Sequence, residues 1–370
     1  MKKYIGLVLF LLPLKVLALN VTFILPDHSH HQFWYLLADA TKSAAKNTEI
    51  SLKIIYTDNN RFAFKSAIQQ AINSPTKPDY LVFRPFQGTI SEVFAELEQQ
   101  KINFITLEQV LTGNEAQIIG KPRENYQHWL GEVYYNQEAG SELLTKTLID
   151  EHNIKFPRET AYITGLSGSF DAVTYARNSG LIKQLKKHSN TVLNQIITLN
   201  FDHRLVEQRI ESILKRYPDT SIYWCASTQM AIEASSKIEE LTGKGNIIVG
   251  GFDWLPDGLN KIKEGKITAL VGGHFLMGAK AVNLLIDHYY GIDRFIAQPE
   301  IPKEHNHFEL ITKYNVEQYL AFINNRNWRD IDYSQFLYSN KKLSHQEPIT
   351  VKNLIKAYQK QKQPTKLSTL

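Results

Sequence analysis

A single cysteine, Cys225, stands among 370 residues, so no intramolecular disulfide can form. Past residue 18 no apolar run is long enough to span a bilayer, and a membrane helix is not expected in the body of the chain. No cysteine stands where a lipoprotein would be cleaved, which argues against a lipid anchor. An excess of one charge is also missing. The formal +5 includes Lys2, Lys3 and Lys15, and without them +2 remains, too weak a bias for a nucleic-acid partner. His28, His30 and His31 crowd one turn, but no matching His/Cys/Asp cluster completes a closed metal site elsewhere in the sequence. No metal and no cofactor are expected.

What is present begins with an export signal. Lys2 and Lys3 form a basic start, residues 4–14 an apolar core of signal-peptide length, and Val16-Leu17-Ala18 a small-residue cleavage site. The expectation is a signal peptide over 1–18 and a periplasmic protein. The remaining chain is long enough for two cores, and aromatics make up 11% of residues, enough for those cores and a stacking cleft. From Asn20 onward, short apolar runs alternate with helical patterns, the signature of parallel sheet covered on both faces. Strands are expected at 21–25, 51–56, 80–83 and 103–106, with helices between them. A looser stretch, 111–127, reads as a surface excursion. A second alternating set starts near His128, with strands near 161–164, 192–198, 222–225 and 247–250. The fold class is α/β, two doubly wound parallel-sheet lobes. After Tyr333 the alternation stops. The tail becomes polar and lysine-rich, with a short helix at 351–358 and partial order at best.

The densest information lies in 246–291. Ile247, Ile248 and Val249 lead to Gly250-Gly251-Phe252-Asp253, which leaves Asp253 at the carboxyl end of a strand. A helix with Leu255, Leu259 and Ile262 on one face follows, then a second short run at 267–271, then Gly272-Gly273 and another helix. Ligands of doubly wound sheets sit outside the carboxyl ends of strands, so Asp253 is placed to meet one. This order of features resembles the type I periplasmic binding proteins, the ribose- and galactose-binding family. The resemblance implies lobes that are not sequential halves, joined by a three-strand hinge. Crossings fall near 128–131, at Gly272-Gly273 and near 302–308. The first lobe takes 19–129 plus 273–302, the second 130–272 plus 303–333, and 334–370 is an extension. A hinge of this kind permits closure around a ligand.

The resemblance also maps a ligand site. The loop after the first strand offers Asp27, His31, Phe33 and Trp34. Aromatic faces cover the C–H faces of a sugar ring while rim hydroxyls need hydrogen bonds. Phe33 also shares spacing with Leu36, Leu37 and Ala40 on a buried helix face, and Trp34 lies off that face. Thr106-Leu107-Glu108-Gln109 stands where the family often has Thr-Leu-Asp-Arg. Glu108 keeps a carboxylate, while Gln109 loses a bidentate guanidinium. Arg177 falls in a helical segment similar to one whose arginine reaches the cleft, and an exposed helical arginine is the plainer alternative. Asn200-Phe201-Asp202 makes Phe201 a candidate, and Ser227 replaces a longer polar residue before Met230-Ala231. Asp253 would accept hydrogen bonds from hydroxyls, and His274 is a ligand or hinge residue.

The expected function is a binding protein, not an enzyme. It is expected to be a monomer that closes on a small sugar-like ligand and presents it to an inner-membrane ABC permease. The alternative is a sensory protein that presents such a ligand to a receptor kinase or cyclase. Gly165-Leu166-Ser167-Gly168 lacks the spacing of a nucleophile elbow, and nothing in the sequence sets Ser167 against His28 and Asp171 as a triad.

Overall fold

The computed structural model describes residues 18–27, 32–108, 111, 113–243, 247–297, 306–340 and 347–362. The first set of elements is β1 (Leu19–Leu25), α1 (Gln32–Ala45), β2 (Ile50–Tyr56), α2 (Arg61–Ile72), β3 (Tyr80–Phe83), α3 (Ile90–Gln99), β4 (Asn103–Leu107), α4 (Gly113–Ile119) and β5 (Trp129–Val133). Its five strands pair in parallel in the order β2-β1-β3-β4-β5. The second set opens with α5 (Gln137–Lys155), β6 (Ala161–Ser167), α6 (Ala172–Leu185), β7 (Thr191–Thr198), α7 (His203–Arg216), β8 (Ile222–Cys225) and α8 (Thr228–Thr242). It continues with β9 (Ile248–Phe252), α9 (Pro256–Lys263), β10 (Ala269–Gly272), α10 (Met277–Tyr289), α11 (Arg294–Ala297) and β11 (Glu309–Thr312). The order of this sheet is β11-β10-β9-β8-β6-β7, parallel except for the β10–β11 pair. Two further helices, α12 (Val316–Asn324) and α13 (Val351–Lys362), end the described chain.

Strands buried on both faces lose the alternation of a half-exposed strand. In β3 and β8 every residue is buried, which is why these strands read in sequence as short continuous apolar runs. Polar side chains start the intervening helices. Asn60, Asn136, Asp171, Asp202 and Ser227 each accept a hydrogen bond from a backbone N–H of the first turn of α2, α5, α6, α7 and α8. Helix α8 ends at Gly243, whose φ of 62° is left-handed and costs glycine little.

The chain does not stay with one sheet. Helix α10 lies in sequence between β10 and β11, yet it packs on α1, β4 and β5 of the first set. The approach is so close that a Cβ on Gly278 would lie 1.9 Å from Thr41 Oγ1. The passages between the sheets touch one another. Tyr135 Oη donates to Gly273 O at 3.1 Å, and Asn136 N–H donates to Asn306 O at 3.4 Å. The expected crossing at 302–308 lies partly outside the described residues.

Three stretches differ from the sequence expectation. Helix α4 stands inside the segment read as an irregular excursion. Where only a crossing was expected, β5 adds a fifth strand to the first sheet. In the tail, the helix runs on to Lys362, with Val351 and Leu354 fully buried. Lysines at four of its twelve positions mask an apolar face of ordinary helical spacing.

Candidate functional site

The carboxyl ends of nearly all the strands converge on one cavity of about 140 Å³, roughly ten times the volume that a single water needs. From the first set it is lined by Pro26 and Asp27 after β1, Asn59 after β2, Arg84 after β3, Glu108 after β4, and Phe33 and Trp34 from α1. From the second set come Ser169, Asp171, Val173 and Arg177 after β6, Asn200 and Phe201 after β7, Ser227 after β8, Asp253 after β9 and His274 after β10. Nine of the eleven residues named from sequence are therefore in its wall. The other two, His31 and Gln109, lie outside the described residues, as do His28 and His30.

The backbone marks the same place. Asp27, Glu108, Asn200, Phe201 and Asp253 have φ of 68°, 59°, 55°, 58° and 79°. Non-glycine residues seldom adopt these values, and each costs on the order of 1–3 kcal/mol unless its surroundings hold it there. Glu108 is held by its N–H, which donates to Val133 O at 2.9 Å, and Asp253 by its N–H to Val271 O at 2.9 Å. Both bonds extend the parallel ladder by one residue, and the left-handed φ then turns the chain with the carboxylate beside the cavity. Phe201 needs a glycine opposite it, because a Cβ on Gly168 would lie 2.1 Å from its ring.

The wall is charged and mutually paired. Buried His274 donates from Nε2 to Asp253 Oδ1 at 3.0 Å. Its ring stacks on Phe33 at 4.6 Å, and Nδ1 has no hydrogen-bond partner among the described residues. Arg177 is 4% exposed, so the plain reading of a solvent-facing helical arginine is wrong. Its Nε donates to Gln137 Oε1 at 2.8 Å and its Nη1 to Ala226 O at 2.6 Å, and the guanidinium lies 4.0 Å from the centre of the Phe252 ring. Burial lowers its pKa, with Asp253 and Glu108 opposing. Phe33 and Trp34 are both buried and meet edge to face at 5.0 Å. The choice between core and cavity was thus a false one for Phe33, since α1 is covered on several faces. Ser227 caps α8 through a 3.3 Å bond from Met230 N–H and still borders the cavity.

Arg84, Asp171, Asn59, Ser169 and Asn200 were missed from sequence. Arg84 precedes a proline, which favours an extended backbone and lets it continue the line of β3 into the cavity. Applying the strand-end rule to every strand, and not only to β9, would have found most of them. No triad forms. Ser167 donates to Asn178 at 2.7 Å, and Asp171 caps α6 and pairs with Arg84. Among the described residues no group of three or more His, Cys, Asp or Glu is placed to hold a metal.

Two parallel-sheet lobes meeting at such a cavity define a two-lobed α/β binding protein of the type I class. A family model for the periplasmic binding protein domain matches residues 21–292, and the chain belongs to that family. It is 21% identical over 244 residues to the ribose import binding protein RbsB of Salmonella typhimurium, covering 65% of this chain and 75% of the relative. To the D-allose-binding periplasmic protein of Escherichia coli it is 26% identical over 130 residues, 35% of this chain and 41% of that relative. The chain thus spans about two fifths of the length of the second relative. In fold it matches a periplasmic sugar-binding protein from Pseudomonas fluorescens with a TM-score of 0.78 at 20% identity, covering 91% of this chain and 99% of that one. A solute-binding protein from Actinobacillus succinogenes with bound D-allose gives 0.68 at 16% identity, over 81% and 100% of the two chains. At these identities the two structures speak for the fold alone. Family members are solute-binding proteins and not enzymes, and no helix among the described residues is long and apolar enough to cross a membrane.

Proposed function

We propose that this protein closes two α/β lobes around a small polyhydroxylated ligand, a sugar or sugar derivative, and delivers it to an ABC-type transporter. In this reading 1–18 is removed on export, the lobes comprise 19–129 plus 273–302 and 130–272 plus 303–333, and the mature protein acts as a monomer. The observation that carries it is the wall of the cavity. Carboxylates (Asp27, Glu108, Asp253) and arginine donors face aromatic surfaces (Phe33, Trp34, Phe201) across a space the size of a monosaccharide. Ring hydroxyls and C–H faces need that combination. The names of the ribose and allose relatives point the same way. A thermal-shift panel of pentoses, hexoses and cyclic polyols tests it: a true ligand raises Tm with the logarithm of its concentration once that exceeds Kd, and a panel that leaves Tm unmoved rejects the reading.

A sensory role is the second reading, favoured by Gln109 in place of arginine and by the chain beyond the family match, which ends at residue 292. A gene deletion separates the two. Loss of growth on the ligand as sole carbon source supports transport. Unimpaired growth with loss of a transcriptional response to the ligand supports sensing.

A further inference from the structure

Among the described residues two polar contacts cross the cavity from one lobe to the other. His274 to Asp253 is one. The other is made by Arg84, at the end of β3, which donates from Nε to Glu108 Oε2 at 2.6 Å within its own lobe. Its Nη2 reaches Asp171 Oδ2, on the opposite lobe, at 3.4 Å. The first bond is short and charge-assisted. The second is at the long end of hydrogen bonding. Asp171 is itself fixed, because its other oxygen caps α6 by accepting from Thr174 N–H at 2.8 Å. The Arg84 side chain is 14% exposed, so this is a largely desolvated ion pair rather than a screened surface one.

The charge around the cavity has a sign. Arg84 and Arg177 supply two positive groups, against Asp27, Glu108, Asp171 and Asp253. Arg177 gives two of its donors to Gln137 and Ala226 and packs on Phe252, and Arg84 is held by two carboxylates. Arg84 offers a ligand no uncompensated positive charge, Arg177 stands in the field of Asp253 and Glu108, and counted over the described residues the wall has two arginines against four carboxylates.

We propose that Arg84 is the latch and the charge filter of this site. It bridges the lobes through Glu108 and Asp171, and because its charge is cancelled where it stands, the cavity takes neutral or amino-substituted polyols and rejects those bearing carboxylate or phosphate. The filter rests on the sugar-binding reading, whereas the latch does not. A guanidinium shared in this way still has N–H groups to point at ring and hydroxyl oxygens, since it carries five in a rigid fork. A lysine lacks the planar fork and is not an equivalent replacement at this position.

The filter is tested by titrating neutral pentoses and hexoses, their amino counterparts, uronic acids and sugar phosphates into wild type, Arg84→Gln and Arg84→Lys. Wild type should bind neutral or amino members and leave the acids at least a hundredfold weaker. Arg84→Gln should weaken neutral ligands at least tenfold while the amino-to-neutral affinity ratio rises, because the wall becomes more negative. A purely structural loss would lower both alike. Acids bound as well as neutral sugars, or Arg84→Gln within threefold of wild type on every probe, would overturn the filter. If no probe in the panel binds wild type, it is the sugar reading that fails. The latch is then read without ligand, from the distance between spin labels on the two lobes. Asp171→Asn, which can still cap α6, and Arg84→Gln should each broaden or lengthen that distance. Unchanged distributions in both variants, with wild-type circular dichroism and melting, would overturn the latch.

Discussion

Asp253 illustrates how much one carboxylate does here. It is 8% exposed, adopts a left-handed backbone, receives the His274 Nε2–H at 3.0 Å and opposes the buried charge of Arg177. Asparagine tolerates that backbone better than alanine does and keeps an acceptor. Asp253→Asn should therefore fold with little loss of Tm and weaken the ligand at least tenfold. Asp253→Ala should abolish ligand-induced stabilisation altogether. Unaltered affinity in both variants, measured by calorimetry, would remove Asp253 from the binding surface. Trp34 needs a different reading of its variant. A stacked aromatic contributes about 0.5–1.5 kcal/mol beyond its area, but a buried tryptophan cut to alanine costs about 3–5 kcal/mol of stability. Trp34→Phe keeps most of the volume, so a several-fold loss of affinity with Tm within a few degrees would place the indole on the ligand. At this scale the sequence was legible where a motif carried the residue, as in Gly-Gly-Phe-Asp or the helical segment that holds Arg177. Arg84 has no motif around it. Its role depends on Glu108 from another strand and Asp171 from another lobe, contacts between positions 24 and 87 residues apart in sequence.

Elements were legible where they are buried on both faces, because an unbroken apolar run needs no knowledge of neighbours. The expected strand 80–83 and observed β3 share the same bounds. Two of the misses, β5 and the tail helix, share a cause: they borrow their apolar cover from a distant part of the chain. Strand β5 pairs with β4 and presses Gly131 against Phe295, beyond α10 in sequence. Helix α13 hides a three-residue buried face, Val351, Leu354 and Ala357, under lysines. One tight contact between elements suggests its own experiment. Helices α5 and α6 meet at Gly180, where a Cβ would lie 2.3 Å from Glu138 O and 2.7 Å from Ser141 Cβ. Alanine in place of a mid-helix glycine gains up to about 1 kcal/mol of helix propensity. Overpacking against a backbone carbonyl costs about 1–3 kcal/mol, and the carbonyl has little freedom to retreat. The balance is loss. Gly180→Ala should lower Tm by several degrees, and a rise would mean that the two helices separate at no cost.

The whole molecule is held at its joint by more than the passages between sheets. Beyond β11 the chain packs α12 on α9 of the second lobe and then returns to the first. Arg329 Nη2 pairs with Asp39 of α1 at 2.6 Å, and Trp328 Nε1 donates to the same carboxylate at 2.9 Å. Asp287 of α10 accepts from Ser339 N–H at 2.8 Å, and Glu309 of β11 accepts a hydrogen bond from Val351 N–H at the start of α13. The tail therefore straps both lobes and reaches the joint itself. There Lys280 of α10 donates to Asn306 and lies 4.8 Å from the ring centre of Tyr135. Burial pushes the Lys280 pKa down to about 7, with Glu309 opposing and Arg294 reinforcing the drop. Unfolded, the same amine holds its proton to about pH 10.4. Between these values the unfolded chain binds more protons than the folded one, so this group makes stability rise with pH from about 7 to 10.5 and is most costly below pH 7. Glu309, raised by burial, acts with the opposite sign at lower pH, as does Glu132 of β5, pushed up to about 8 by burial. Comparing wild type with Lys280→Met isolates the amine. The variant should be the more stable protein at pH 7, and its advantage should shrink steadily to nothing by about pH 10.5. A difference in unfolding free energy that stays constant across that range would mean that Lys280 keeps its proton when folded. The joint would then contain a charged lysine paired with Glu309, not a neutral amine.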